Sequence, residues 1–335
     1  MFLYARIVLE KPSFWLFAGL ALLSLGLAYI SWRYVERPFR DRQLFSRSRI
    51  FRFAALGAVP LAVVGCIGLN GLPSRFGEDV DLLVTNRVRS QYVAKRRDQL
   101  KGIERFSSEK KLRVLLLGDS FAGDFLNMMA EAGLLPDAEI RVRYIPVRCQ
   151  IYCGEENGLD FVAEIYRDEC AKGVYKEDFY PSLQPMIQDA NVIIFASLWA
   201  EWAARRLPET IKNLQIPDST RIIVVGRKHF GKIGPRNYLG LSLQEKAALR
   251  NRVDNQHAYI NGILRTGMEI MRNVDFVDLP ELVCGADSET CPVFSPEGKL
   301  LSYDGNHLTQ AGAAYIGGLL KEHPAFKALE GGQSD

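Results

Sequence analysis

The chain has 335 residues, 48% of them hydrophobic, enough to bury one large core with further elements to spare. Lys and Arg number 42 against 39 Asp and Glu, a near balance that gives no argument for a nucleic-acid partner. Where the charges fall says more than their sum.

No charged residue stands between Phe14 and Trp32, a run long enough at helical rise to cross most of a hydrocarbon core. Trp15, Tyr29, Trp32 and Tyr34 lie near its ends, as interfacial aromatics do, and the pattern predicts a transmembrane helix over about residues 14–35. A second uncharged stretch, 53–69, is shorter and carries Pro60 and three glycines, so it is a marginal span; a buried core helix is the competing reading. Between them stand Arg33, Arg37, Arg40, Arg42, Arg47, Arg49 and Arg52, opposed by Glu36 and Asp41. The positive-inside rule puts this basic loop, 33–52, in the cytoplasm and everything after residue 70 outside. Residues 1–70 are thus expected to be a membrane segment. A cleavable signal fits poorly, because the basic cluster follows the first apolar run.

The cysteines suit that topology. Cys149, Cys153, Cys170, Cys284 and Cys291 fall in the exported part, where Cys284 can pair with Cys291 and Cys170 with Cys149 or Cys153. A zinc site at Cys149, Cys153 and Cys170 competes, but it lacks a nearby histidine and a fourth ligand.

Residues 71–110 are rich in charge and read as an exported linker with a connecting helix over about 79–104. Strand and helix then alternate. Residues 111–118, 140–146, 191–197, 221–226 and 274–279 read as strands, with helices over 124–132, 242–271 and 310–322, the last capped by Thr309. Continuous apolar runs such as NVIIFAS and RIIVVG belong to strands covered on both faces. The expected fold class is therefore α/β, a three-layer sandwich with a parallel sheet, flavodoxin-like, over 111–325, preceded by one or two transmembrane helices and followed by a tail, 326–335.

In such a sheet, ligands bind beyond the carboxyl ends of the strands. The apolar run Leu112 to Leu117 breaks there into Gly118-Asp119-Ser120. A serine at that turn faces the positive end of a helix, whose N–H groups can hold an oxyanion for about 3 to 4 kcal/mol per donor. Asp119-Ser120 can equally be only a helix cap. A serine needs a base, and the chain has four histidines. His257 and His323 read as surface residues, and His229 has no carboxylate close in sequence. His307 does: Asp304, three residues earlier on a glycine loop, can accept from Nδ1–H and leave Nε2 for Ser120. The bland alternative makes Asp304 a turn residue and His307 merely exposed.

Gly118-Asp119-Ser120, with Asp304-Gly305-Asn306-His307-Leu308-Thr309 before the last helix, resembles the first and last blocks of the SGNH (GDSL-like) hydrolase superfamily. The segment from Ser31 to Arg40, SWRYVERPFR, resembles the end of a membrane acyltransferase of family 3. Similar too is the order that follows: one more membrane helix, the sequence GLPSRF, a linker and a periplasmic SGNH domain. That arrangement is found in bacterial O-acyltransferases that acetylate cell-surface polysaccharides. The resemblance implies Ser120 as acyl-accepting nucleophile, His307 as general base and acid, and Asp304 as its orienting partner. The chain departs from the pattern in two places. The Gly-x-Asn-Asp block that supplies oxyanion donors is absent, and Phe121 follows the serine where fused members often carry His. Beyond the Ser120 N–H, Gly123 is the only oxyanion candidate offered. Fused members also tend to have a Trp at this strand's carboxyl end, so Trp199, with Trp202 following, is a candidate sugar platform, and core packing is the competing reading for both. Arg227 and Lys228 end the next strand and can meet an acidic glycan, although solvated surface is the default.

The expected activity is O-acyl, above all O-acetyl, transfer to a cell-surface polysaccharide or lipid-linked glycan. A membrane-tethered carbohydrate esterase with the same triad is the alternative, and a glycan-binding domain without activity is a third. No metal and no resident cofactor is expected; the acyl donor is a co-substrate. Most of the family's acyl-donor membrane helices are missing from these residues. The chain is then either a piece of a longer product or the partner of a separate membrane acyl-donor subunit. The expected location is the bacterial inner membrane, with the C-terminal domain in the periplasm.

Overall fold

A computed structural model describes residues 13–37, 46–69, 82, 86–100, 102–103, 105–107, 112–285 and 289–331. It divides into two compact units, Met1–Arg75 and Phe76–Asp335.

The first unit contains α1, Phe14–Ser31, which starts where the Ser13 hydroxyl accepts from the Leu16 N–H at 3.2 Å and is prolonged by one π turn, Trp32–Glu36. Its residues are apolar all round and none is buried, a pattern that suits hydrocarbon better than water. Phe14–Tyr34 comprises 21 residues with mean hydropathy 1.9, about 31 Å at helical rise, and is long and apolar enough to cross a membrane. α2, Arg47–Leu69, begins earlier than the expected second span and carries Pro60 inside it; its apolar part, Phe51–Cys66, is shorter than a span. Arg40, Asp41 and Arg42 of the expected basic loop lie outside the described residues, as does the segment 71–76.

The second unit contains α3, Asn86–Gln99, within the expected helix 79–104, of which residues 79–81, 83–85, 101 and 104 lie outside the described residues. Next come β1 (Arg113–Gly118), α4 (Ser120–Ala132), β2 (Glu139–Tyr144), α5 (Arg167–Lys172) and α6 (Phe179–Asp189). They are followed by β3 (Val192–Ala196), α7 (Glu201–Asn213), β4 (Arg221–Val225), α8 (Leu243–Ala248), β5 (Arg250–Arg252) and α9 (Asn255–Glu269). The remainder is β6 (Val274–Val277), α10 (Leu279–Cys284), β7 (Thr290–Pro292), α11 (Gln310–Glu322) and α12 (Pro324–Gly331).

Five strands form one parallel sheet in the order β2-β1-β3-β4-β6, while β5 and β7 pair antiparallel in a separate ribbon. The strand period of two divides each apolar run between two cores. Val114, Leu116, Val192 and Ile194 pack with Phe125 and Met128 of α4 and Ile316 and Leu320 of α11. Leu115, Leu117, Ile193 and Phe195 pack on the other face with Leu183 of α6, Leu207 of α7 and Ile260 of α9. This is the expected three-layer sandwich. Each such side chain contributes roughly 1.5–3 kcal/mol by leaving water.

Two expectations are corrected. The helical pattern over 242–271 is interrupted: Ser242 and Glu245 form a capping box that starts α8, Leu249 is extended, and the Asp254 carboxylate accepts from the Gln256 N–H to start α9. The intervening β5 pairs with β7, beside the Cys284–Cys291 disulfide. Residues 326–331 of the expected tail belong instead to α12, and Phe326 is fully buried with its ring 5.9 Å from that of Phe125. A second disulfide joins Cys149 to Cys170, which leaves Cys153 as a thiol and removes two of the sulfurs that a zinc site there needs.

Candidate active site

Gly118 ends β1 against its neighbour. Its φ is +155°, and a Cβ there would lie 1.8 Å from the Ala196 carbonyl oxygen at the end of β3, so only glycine fits. Asp119 then caps α4, accepting from the Phe121 N–H at 2.8 Å. The same carboxylate accepts from the Ser197 hydroxyl at 2.7 Å and the Leu198 N–H at 2.9 Å, which ties the turn to the residues after β3. Burial raises the Asp119 carboxyl against the pull of these bonds. Capping is therefore the work of Asp119, and the hydroxyl of Ser120, the first residue of α4, turns to His307.

The loop before α11 is folded by its own polar groups. Asp304 Oδ1 accepts from the N–H groups of Asn306 at 2.9 Å and His307 at 2.8 Å, while the Ser302 hydroxyl donates to the His307 carbonyl at 2.7 Å. Gly305 adopts φ +93°, and a Cβ there would lie 2.2 Å from the Gly231 carbonyl oxygen. Asp304 Oδ2 lies 2.9 Å from His307 Nδ1, and His307 Nε2 lies 3.0 Å from Ser120 Oγ. A carboxylate only accepts, so Nδ1 carries the proton and Nε2 accepts from the serine hydroxyl. Burial alone would raise the Asp304 carboxyl. Hydrogen bonds from the His307 ring and from the His307 and Asn306 N–H groups outweigh it and hold the carboxyl well below its usual range. The bond to Asp304 in turn raises the His307 imidazole, against its partial burial. Chemically, this is a hydroxyl within reach of an oriented general base, the arrangement that activates a serine for acyl transfer.

The other candidates fall elsewhere. Gly123 lies one turn into α4, its N–H donates to the Asp119 carbonyl at 3.3 Å, and a Cβ there would approach the Val93 carbonyl oxygen of α3 to 2.9 Å. Its donor is spent within the helix and it faces α3, which corrects the oxyanion assignment. Trp199 is fully buried, with Nε1 donating to the Val225 carbonyl at 2.9 Å, so it links β3 to β4 and offers no face to a sugar. Trp202 is partly buried and stacks on Phe161 at 5.0 Å. Arg227 is half-buried; its N–H donates to Asn261 Oδ1 at 2.7 Å and Nη1 to the Trp199 carbonyl at 3.1 Å.

The sequence reading misplaced Lys228 and His257 and passed over Asp124 as a site residue. Lys228 is 1% exposed, not solvated, and pairs with buried Asp124. Asp124 stands four residues after Ser120 and so shares its helix face, a signal that was available in the sequence. His257 is buried, not on the surface, and stacks on His229 at 4.4 Å; nothing local in the sequence joins two residues on different elements.

Residues 90–322 match the family of SGNH domains fused to AT3 domains. Among solved structures, the periplasmic domain of a lipopolysaccharide acetyltransferase from Salmonella ser. Paratyphi A is similar at 15% identity and a TM-score of 0.48, covering 72% of this chain and 98% of that one. The C-terminal catalytic domain of peptidoglycan O-acetyltransferase A from Streptococcus pneumoniae is similar at 13% identity and a TM-score of 0.33, covering 66% of this chain and 96% of that one. No curated protein matches the sequence. With residues 90–322 of the 335 matched, the chain belongs to the SGNH-domain family of the type fused to AT3 domains.

Proposed function

We propose that the chain is an O-acyltransferase, with acetyl as the acyl group, acting on a cell-surface polysaccharide outside the cytoplasm. The observation that carries this reading is the relay from Asp304 through His307 to Ser120, closed at 2.9 and 3.0 Å. Ser120 Oγ attacks the acyl carbonyl of the donor while His307 Nε2 takes its proton. The oxyanion that forms faces the N-terminus of α4, where the Ser120 N–H is the assigned donor. His307 returns the proton to the leaving group. A sugar hydroxyl then gives its proton to His307 and attacks the acyl-serine; the acyl–Oγ bond breaks, His307 returns the proton to Ser120 Oγ, and the enzyme is restored.

Transfer is favoured over hydrolysis by the family, whose domains are fused to AT3 domains, and by the apolar α1 that would tether the chain to a membrane. Membrane machinery of the AT3 type, in a longer form of the same chain or in a separate subunit, would supply the acyl group. Hydrolysis is the second reading, because the side chains of Asp304 and His307 keep 46% and 34% of their surface open to water.

The purified chain, incubated with an acetyl ester with and without an oligosaccharide acceptor, decides between them. Acceptor-dependent acetylation that disappears in Ser120→Ala is expected. Transfer that survives the alanine change would remove Ser120 from the mechanism, and ester cleavage indifferent to every acceptor would make the protein an esterase.

A further inference from the structure

Behind the Ser120 turn lies an ion pair that the relay itself does not use. Asp124 of α4 is completely buried and Lys228, beyond the end of β4, is 1% exposed; Nζ lies 2.9 Å from Asp124 Oδ2. Desolvating two charges costs more than their attraction returns unless the geometry is good, and an apolar pair of the same volume would hold a core at least as well. Stability alone therefore gives no reason for these residues.

Their contacts give one. Asp124 Oδ2 also accepts from the N–H of Leu308, the residue after His307, at 3.2 Å. One carboxylate thus joins the helix that carries Ser120 to the loop that carries His307. Lys228 Nζ lies 3.2 Å from the centroid of the Phe121 ring, and that ring stands edge-on to the His307 imidazole with centroids 6.4 Å apart. The ammonium therefore fills the space between the carboxylate and the aromatic wall beside the base. Burial pushes the Asp124 carboxyl up, and the Lys228 charge opposes that push. Without the ammonium, the carboxylate would tend to take a proton and loosen its hold on Leu308.

We propose that Asp124 and Lys228 are positioning residues: the pair keeps a carboxylate on the Leu308 N–H, and this clamp sets the approach of His307 to Ser120. The proposal rests on the reading of Ser120 and His307 as nucleophile and base. It places a role on two residues, 104 positions apart in sequence, that touch no reacting atom.

The test compares two double variants of the full chain that leave no lone buried charge. Lys228→Met with Asp124→Asn retains an acceptor for Leu308, and Lys228→Met with Asp124→Leu removes it at similar volume. Acetyl-ester kinetics and hydrogen exchange of the Leu308 amide are measured on both. The Leu form is expected to lose roughly tenfold to a hundredfold in kcat relative to the Asn form, with KM little changed, because small misplacements of a base cost that much. Its Leu308 amide should exchange at least tenfold faster. Lys228→Met alone should fall below the Asn double variant, since it strands Asp124 without a counter-charge. Equal kcat in the two double variants, or equal Leu308 exchange, overturns the proposal. Wild-type turnover no greater than that of Ser120→Ala would instead sink the nucleophile assignment, and the exchange rates would still decide whether the clamp exists.

Discussion

His307 and His257 are separated by little more than the Gly305 loop and the ring of His229, yet their surroundings drive them in opposite directions. His307 sits on a half-exposed loop with Asp304 Oδ2 at 2.9 Å, and that bond raises its imidazole. His257 is 5% exposed, lies flat on His229 with the ring planes 9° apart, and its Nδ1 has no hydrogen-bond partner among the described residues. Burial, followed by the charges of Arg227 and His229, lowers it to about 3. Asp254 favours the charged form of His257 and His229, but its carboxylate is spent on the Gln256 N–H as the cap of α9. A carboxylate in direct contact makes a base here; the position of an imidazole near the sheet edge does not.

Exchanging each ring for an amide tests that contrast most severely. His307→Gln should lower acetyl-ester turnover by roughly 10⁴-fold or more, as removal of a triad base does. His257→Gln should leave turnover within about threefold, because its ring touches no member of the relay. A comparable loss in both would mean that the stacked pair shares in the chemistry.

A smaller effect separates the presence of the base from its tuning. His307 must be neutral to accept a proton, and its value is raised, so ester turnover should be low at acid pH and rise only as pH passes above the ordinary histidine value of 6.5. Asp304→Asn removes the largest raising influence and the tautomer control. It should cost roughly 10²- to 10⁴-fold in kcat and move this limb to lower pH, with the fold intact. An unmoved limb would show that Asp304 does not set the imidazole, and an unfolded variant would make it structural.

Legibility in the sequence followed the distance over which information is carried. Gly118-Asp119-Ser120 and Asp304-x-x-His307 are local: a strand end, a cap and a three-residue loop determine them, so the motif predicts the geometry. The apolar runs likewise determine a buried parallel sheet. The helix expected over 242–271 failed because the pairing of β5 with β7 and the cap at Asp254 outweighed a helical pattern. Trp199 and Gly123 were misjudged for a different reason. A residue type at a strand end or helix start says nothing of which neighbour claims its donor, and here the Val225 and Asp119 carbonyls do. The Asp124–Lys228 pair and the stacked histidines depend on the way β4, α4, α9 and the Gly305 loop come together. No local pattern reports that.

The smallest effect is on stability, and its sign follows from the depressed value of His257. The unfolded chain protonates this ring near 6.5, whereas the folded chain resists until about 3. Its neutral burial therefore contributes stability in full above 6.5, and this is lost as pH falls toward 3, at up to about 1.4 kcal/mol per pH unit. His229 acts in the same direction. His307 has a raised value, so its own contribution is complete below 6.5 and does not mask the loss. Asp304, held below the ordinary carboxylate value of 3.8, withdraws its stability only at lower pH. Asp119, Asp124 and Asp278, whose carboxyls burial raises, act in the opposite sense as pH falls. The loss due to His257 is therefore read from about pH 6.5 to 5 as the fall in melting temperature of the wild type against that of a His257 variant. In His257→Gln the fall should be shallower, whatever the absolute stability of that variant. Parallel slopes in the two proteins would mean that His257 becomes protonated in the folded state at ordinary pH, and the contrast with His307 would then lie in partners alone and not in burial.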